Sequence, residues 1–129
     1  MGVKKDLKIL VVEDNEKIRK LLCNLLKNIG FTAISEAENG KLAWDKLHAY
    51  HYDLLLTDWQ MPVMDGMELL KMIRRDSYLK ELPVMMITAS DSQEQIVEAA
   101  KHKVNGYIVK PFSVKTIVEK IDKVFANRG

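Results

Sequence analysis

Polar residues follow four short apolar runs of the sequence, each close to the point where the run ends. These residues are Glu13, Asp14, Asp58, Thr88 and Lys110. If the runs are strands of one parallel sheet, their carboxyl ends lie at the same edge, where open α/β sheets place their ligands. The sequence therefore predicts that three carboxylates, one hydroxyl and one ammonium group share a crevice.

The chemistry that these groups favour is the binding and transfer of a phosphoryl group. Carboxylates crowded together repel one another unless a cation offsets their charge. A set of hard oxygen ligands without His or Cys suits Mg²⁺, which we therefore predict as the cofactor. Mg²⁺ and Lys110 would attract an anion, Thr88 would donate a hydrogen bond to it, and Asp58 would be the carboxylate nucleophile that forms an aspartyl phosphate.

A simpler explanation is that the same acids cap helices and form ion pairs with Lys110. For any single residue this explanation competes with the functional one. It explains poorly why chemically matched groups follow all of these strand ends together.

Strand and helix patterns alternate along the whole chain. The predicted strands are residues 7–12, 31–35, 54–56, 84–87 and 107–109. Apolar residues at helical spacing follow each of them, within residues 18–29, 42–50, 69–73, 96–100 and 114–125. Asn15 is a predicted N-cap, and the pairs Asp65 with Glu68 and Asp91 with Glu94 are predicted capping boxes.

Five repeats of strand then helix predict a single α/β domain with a doubly wound, five-stranded parallel sheet and five helices on its two faces. The 129 residues suit one domain, which we assign to residues 1–129. The chain is 47% hydrophobic and 29% charged, as globular proteins are. Its formal net charge is +2 and its basic residues are scattered, so we do not expect it to bind nucleic acid.

The single cysteine, Cys23, fits a reducing compartment and falls within a helical pattern, so we expect a structural thiol. No apolar stretch approaches the length of a membrane span. We therefore expect a cytoplasmic protein that does not insert into a membrane.

The motifs around the strand ends carry a family resemblance over essentially the whole chain. They are Glu13-Asp14, Asp58-Trp59-Gln60-Met61-Pro62 with Asp65-Gly66, Thr88-Ala89, and Gly106-Tyr107-Ile108-Val109-Lys110-Pro111-Phe112. The set resembles the receiver domain of two-component response regulators, with stand-alone CheY-like chemotaxis regulators closest in pattern. The resemblance implies a flavodoxin-like fold with strand order 2-1-3-4-5.

The resemblance also implies a role for each site residue. Asp58 would accept a phosphoryl group from a phosphohistidine on a sensor histidine kinase, and Lys110 would contact the resulting acylphosphate. Asp14 and Asp58 would bind Mg²⁺ directly, Glu13 through water, and Gln60 through its backbone carbonyl. Thr88 would swing toward the phosphoryl oxygens, and Tyr107 would move inward into the space that Thr88 leaves. The Lys110–Pro111 peptide would be cis.

The leading interpretation is a monomeric signalling module that phosphorylation switches for binding to an unknown downstream protein, with a chemotaxis pathway as one setting. It would not be an enzyme beyond Mg²⁺-dependent phosphorylation and dephosphorylation of itself. The alternative is a phosphorelay intermediate that passes its phosphoryl group to a histidine phosphotransfer protein. A small phosphatase with an aspartyl-phosphate intermediate is a third possibility, but Gln60 stands where such an enzyme needs a second Asp.

Overall fold

Strands and helices alternate throughout residues 5–126, which are the residues that a computed structural model of the chain describes. The strands are β1 (Lys8–Val12), β2 (Ala33–Ala37), β3 (Leu54–Asp58), β4 (Val84–Thr88) and β5 (Gly106–Val109). The helices are α1 (Glu16–Ile29), α2 (Gly40–Ala49), α3 (Gly66–Arg75), α4 (Gln93–Lys101) and α5 (Val114–Ala126). The two ends of the predicted domain, residues 1–4 and 127–129, lie outside the described part.

All five strands are parallel and form one sheet in the order β2-β1-β3-β4-β5, as predicted. The order in which strands are added reverses at β1, because β2 lies on one side of it and β3 on the other. The carboxyl ends of β1 and β3 therefore form the switch point where such sheets bind ligands. The register pairs Val12 with Thr57 and Thr88 with Val109. The carboxyl ends of the central strands are therefore aligned to within a residue or so.

Alternate residues of the strands pack into two separate layers. Ile9 and Val11 contact the layer that α1 and α5 cover, whereas Leu10 and Val12 contact the layer beneath α2, α3 and α4. Strands β3 and β4 are buried along their whole length. A strand covered on both faces needs apolar residues on both, which explains the continuous apolar runs in the sequence.

Local capping signals set most helix starts. The Asn15 side chain accepts a hydrogen bond from the backbone N–H of Ile18 at 3.0 Å, so the predicted N-cap of α1 is confirmed. Asp65 and Glu68 form the predicted capping box of α3, in which each side chain accepts from the other's backbone N–H.

Two local predictions were wrong. β2 begins at Ala33 rather than Phe31, because the backbone N–H of Phe31 donates to the Leu26 carbonyl and so belongs to the turn that ends α1. Asp91 does not cap α4; the hydroxyl of Ser92, one residue later, accepts from the backbone N–H of Gln95 instead.

The start of α3 lies directly against the end of β3. The backbone N–H of Gly66 donates to the Trp59 carbonyl at 2.8 Å, and a Cβ atom on Gly66 would overlap the carbonyl oxygen of Asp58. Glycine is needed here because no side chain fits between the helix and the strand end. The Asp65-Gly66 pair therefore does more than turn the chain, since it lets α3 fix the backbone of Asp58.

Cys23 lies in the α1 face that packs on the sheet and is 2% exposed. Burial of the thiol disfavours its charged form and raises its pKa from the ordinary value of 9.0 to about 11. A residue with this environment serves packing, in agreement with the sequence-based expectation.

No helix within residues 5–126 combines the length and the apolar character needed to cross a membrane.

We expect Gly66→Ala to lower the free energy of unfolding by about 1–3 kcal/mol, the usual range for an atom forced into a packed region. The matched control is Gly106→Ala, whose Cβ would meet only the flexible Met85 side chain, at 3.1 Å. Urea denaturation of both variants measures the difference. Equal losses of stability would show that the contact with Asp58 is not what requires glycine at position 66.

We expect Cys23 to resist alkylation in the folded protein at pH 9, where a thiol with the ordinary pKa of 9.0 is half ionised. The unfolded chain releases this proton near pH 9.0 and the folded chain retains it until about 11, so the contribution of the buried thiol to stability is complete below pH 9 and is lost as the pH rises toward 11. Iodoacetamide labelling followed by intact mass, with and without urea, tests this. Rapid labelling without urea would contradict it.

Candidate functional site

The polar residues predicted at the strand ends do meet at one edge of the sheet. Ligand oxygens of Glu13, Asp14 and Asp58 lie within 4.8 Å of one another. The Nζ atom of Lys110 lies 3.0 Å from Oε1 of Glu13 and 3.3 Å from Oδ2 of Asp58. The loop after β1 and the ends of β3 and β5 thus bring three carboxylates and one ammonium group together.

Asp58 is the last residue of β3, and its two carboxylate oxygens have different partners. Oδ1 accepts a hydrogen bond from the backbone N–H of Trp59 at 2.7 Å, and Oδ2 accepts one from Nζ of Lys110 at 3.3 Å. The residue is 8% exposed. One oxygen is therefore held by the backbone and the other faces the charged cluster, an arrangement that orients the carboxylate.

Glu13 is 2% exposed although it carries a charge. Burial, helped by the nearby negative charge of Asp58, raises the pKa of Glu13, and the hydrogen bonds from the Asn15 backbone and from Lys110 only partly oppose this effect. A raised pKa means that the site holds its negative charge at a cost.

Lys110 shows the complementary effect. Burial alone would lower its pKa, but its contacts with Glu13 and Asp58 outweigh burial and the pKa is raised. The pKa values of both partners are raised for different reasons. Lys110 faces two carboxylates, whereas Glu13 is buried and shares the one ammonium group of Lys110 with Asp58. One cation is too few for three carboxylates, and the cluster therefore favours a second one.

The donor set fits a divalent cation that prefers oxygen. Mg²⁺ takes carboxylate and carbonyl oxygens as ligands. Ligand oxygens of Glu13, Asp14 and Asp58 lie within 4.8 Å of one another and could therefore approach one ion. Asp14 and Gln60 are exposed, so the open side of the cluster leaves room for water and an incoming group. Receiver domains, the family that the sequence resembles, bind Mg²⁺ at an acidic pocket of this kind.

Thr88 and Tyr107 are connected through one residue. Thr88, 1% exposed at the end of β4, accepts a hydrogen bond at Oγ1 from the backbone N–H of Ser90 at 3.3 Å. The Tyr107 hydroxyl donates to the backbone carbonyl of Ser90 at 3.0 Å, and the ring is half-buried. A movement of Thr88 would therefore disturb the segment that holds Tyr107. The Lys110–Pro111 peptide next to this region is cis, as predicted.

Two residues beside the acidic pair, Arg19 and Glu36, were not predicted from the sequence. Arg19 of α1 donates from Nη1 to the Glu13 carbonyl at 2.8 Å and from Nε to Oε1 of Glu36 on β2 at 3.0 Å. A signal was present, because Arg19 is the one arginine of a helix whose other basic residues are lysines. Arginine is the side chain that satisfies two separate acceptors at once.

Comparisons with known proteins agree with this geometry. Residues 9–122 match the sequence profile of the response regulator receiver domain. The chain is 48% identical over 119 residues to the chemotaxis protein CheY of Pseudomonas aeruginosa, a match that covers 92% of this chain and 96% of that protein. It is 50% identical over 121 residues to the chemotaxis protein CheY-3 of Vibrio cholerae, covering 94% of this chain and 93% of that one.

A solved structure shows the same architecture. The crystal structure of the chemotaxis protein CheY4 of Vibrio cholerae superposes with a TM-score of 0.85 at 31% identity, over 92% of this chain and 98% of that one. The convergence of acids and a lysine at the sheet edge agrees with these comparisons, which are the profile match, the two relatives matched over nine-tenths of the chain, and the shared fold. On these grounds the chain belongs to the receiver-domain family of two-component response regulators.

Proposed function

We propose that this chain is a chemotaxis response regulator in which Asp58 accepts a phosphoryl group from a sensor histidine kinase. The observation that carries the proposal is the cluster in which ligand oxygens of Glu13, Asp14 and Asp58 lie within 4.8 Å of one another, with Lys110 contacting two of them. Receiver domains interact with histidine kinases and with downstream targets. The chemotaxis setting is supported by the relatives at 48% and 50% identity, both of which are chemotaxis proteins.

In the transfer step, Oδ2 of Asp58 attacks the phosphorus of a phosphohistidine, a P–O bond forms, and the P–N bond breaks as the imidazole leaves with the electron pair. The Trp59 backbone N–H holds the other carboxylate oxygen, so the attacking oxygen is already oriented. Lys110 then exchanges its contact with the carboxylate for one with a phosphoryl oxygen. Its raised pKa keeps it protonated throughout.

The residues that would hold Mg²⁺ are Glu13, Asp14 and Asp58, with the backbone carbonyl of Gln60. When bound, the ion supplies positive charge that offsets the oxygens of the transferring group. We assign direct contacts to Asp14 and Asp58, a contact through water to Glu13, and no enzymatic turnover beyond phosphorylation and dephosphorylation of the chain itself.

The switch residues are Thr88 and Tyr107. A Thr88 hydroxyl that turns to a phosphoryl oxygen gives up its hydrogen bond with the Ser90 N–H, and the Ser90 carbonyl is the acceptor of Tyr107. Phosphorylation is thereby converted into a rearranged surface around β5, to which a downstream protein binds.

We propose that the chain acts as a monomer and as one receiver domain over residues 1–129. The phosphorelay alternative is not favoured, since the relatives at about half identity are chemotaxis proteins.

Incubation with acetyl phosphate and Mg²⁺ should give a single phosphoryl adduct in the intact mass of the wild type. The adduct should be stable in acid and labile in base, as an acylphosphate is, and Asp58→Asn should abolish it. Asp45→Asn is the matched control, because Asp45 is an exposed aspartate whose side chain contacts Lys41 on the same helix. An adduct that persists in Asp58→Asn, or one that is lost in Asp45→Asn, would refute the assignment of Asp58.

Mg²⁺ should raise the melting temperature of the wild type, because an ion that binds only the folded state stabilises it by mass action, by about 2.7 kcal/mol at one hundred times its Kd. Asp14→Asn should abolish most of that increase. In the absence of Mg²⁺ the same variant should be at least as stable as the wild type, since it removes one of three mutually repelling carboxylates. Calorimetry with Mg²⁺ and with a chelator measures both effects. An equal Mg²⁺ response in the two proteins would exclude Asp14 as a ligand.

A further inference from the structure

The guanidinium group of Arg19 joins two parts of the fold beside the acidic cluster. Its Nη1 donates to the backbone carbonyl of Glu13 at 2.8 Å, and its Nε donates to Oε1 of Glu36 at 3.0 Å. The Arg19 side chain is 13% exposed. A largely buried side chain thus ties the loop after β1 to the edge strand β2.

The carbonyl that Arg19 holds belongs to the peptide between Glu13 and Asp14. Fixing this peptide plane fixes the direction in which the chain leaves the first acid and reaches the second. The backbone N–H of Glu13 is tied to β2 as well, through the Ala37 carbonyl at 3.1 Å. Because Asp14 is exposed, the backbone before it, rather than packing around its side chain, sets where its carboxylate lies.

The anchor at the other end of Arg19 is itself held in place. Lys20 contacts Oε2 of Glu36 at 2.9 Å, leaving Oε1 for Arg19. The hydrogen bond from Lys20, together with that from Arg19, lowers the pKa of Glu36 against the opposing effect of burial. Glu36 therefore remains a carboxylate and a fixed acceptor.

Arginine is suited to this position and lysine is not. The planar guanidinium presents donors in fixed and different directions, so it reaches a carbonyl and a carboxylate together, whereas an ammonium group is a single point charge. The remaining basic residues of α1 are Lys17, Lys20 and Lys27, and the one arginine falls where two acceptors meet.

We propose that Arg19 is a positioning residue for the phosphoryl-transfer site, which holds the Glu13–Asp14 peptide against Glu36 so that both acids stay in the geometry that binds Mg²⁺. The inference rests on the function proposed above. Three like charges tend to move apart, and the loop after β1 carries two of them. Without an external tie the loop can relax away from Asp58, and outer contacts that orient metal ligands are commonly worth a factor of ten or more in affinity.

The test compares Mg²⁺ affinity in Arg19→Ala, Arg19→Lys and Lys17→Ala. Lys17→Ala is a matched control, because it also removes a positive charge from α1, at an exposed position whose side chain contacts neither the Glu13 carbonyl nor Glu36. Trp59, next to Asp58, reports binding by fluorescence, in a Trp44→Phe background so that it is the one tryptophan of the two still present. Melting temperatures in a chelator record any loss of stability separately.

We expect Arg19→Ala to weaken Mg²⁺ binding roughly tenfold and Lys17→Ala to change it less than about twofold, the size of a screened surface charge effect. Arg19→Lys keeps the charge but not the paired contacts, so its affinity should also fall clearly below that of the control. Saturating Mg²⁺ should restore the rate of phosphorylation by acetyl phosphate, since Arg19 acts through the metal ligands and does not touch the phosphoryl group.

A lower melting temperature with unchanged Mg²⁺ affinity would show a merely structural role and overturn the inference. Equal losses of affinity in Arg19→Ala and Lys17→Ala would overturn it too, because they would reflect net charge alone. If Arg19→Ala does not fold, Arg19→Lys decides, and wild-type affinity in that variant refutes the proposal. Failure of the wild type to bind Mg²⁺ or to form the adduct would refute the proposed function itself, whereas a normal wild type with equally tight Arg19 variants refutes only this inference.

Discussion

Repulsion among three carboxylates is the constraint on which the rest of the structure depends. Ligand oxygens of Glu13, Asp14 and Asp58 lie within 4.8 Å of one another, and a single ammonium group, that of Lys110, contacts two of the residues. Burial of Glu13 removes the water that would screen its charge, as the raised pKa of its carboxyl shows. Such a cluster persists only if the backbone prevents its members from moving apart. The excess of negative charge that results favours the binding of a cation.

The sheet supplies this restraint. Strands β3 and β4 are buried from end to end, and each is hydrogen-bonded to a neighbour on both sides. Moving Asp58 would require moving a strand that is packed on both faces. Helix α3 adds a second restraint, because Gly66 lies so close to the Asp58 carbonyl that the strand end and the helix start must move together. Asp58, the proposed nucleophile, is thus held by a strand that is packed on both faces and by the helix that follows it.

The edge strand β2 supports the site although it contributes none of the site residues. Its Ala37 carbonyl accepts from the Glu13 N–H, and its Glu36 anchors Arg19, which in turn holds the carbonyl of Glu13. The acidic pair is therefore held from β2 on one side and faces Asp58 and Lys110 on the other. The β1–β2 side of the fold therefore restrains the backbone of the acidic pair directly.

By itself, the sequence determined the elements and the chemical character of the site. The spacing of apolar residues and the positions of turn residues are local properties of the sequence. The five strands, the five helices and the polar groups at the strand ends were therefore predicted from the residues. The strand order was predicted from the family resemblance. The tertiary structure decided what depends on contacts between distant segments. Phe31, the first residue of a predicted strand, belongs to the turn after α1 and to the core instead, because pairing with β1 begins at Ala33. The contact between Arg19 and Glu36 exists only because α1 packs against β2. A local pattern records which face of an element is buried, but it carries no information about which distant residue that face will meet.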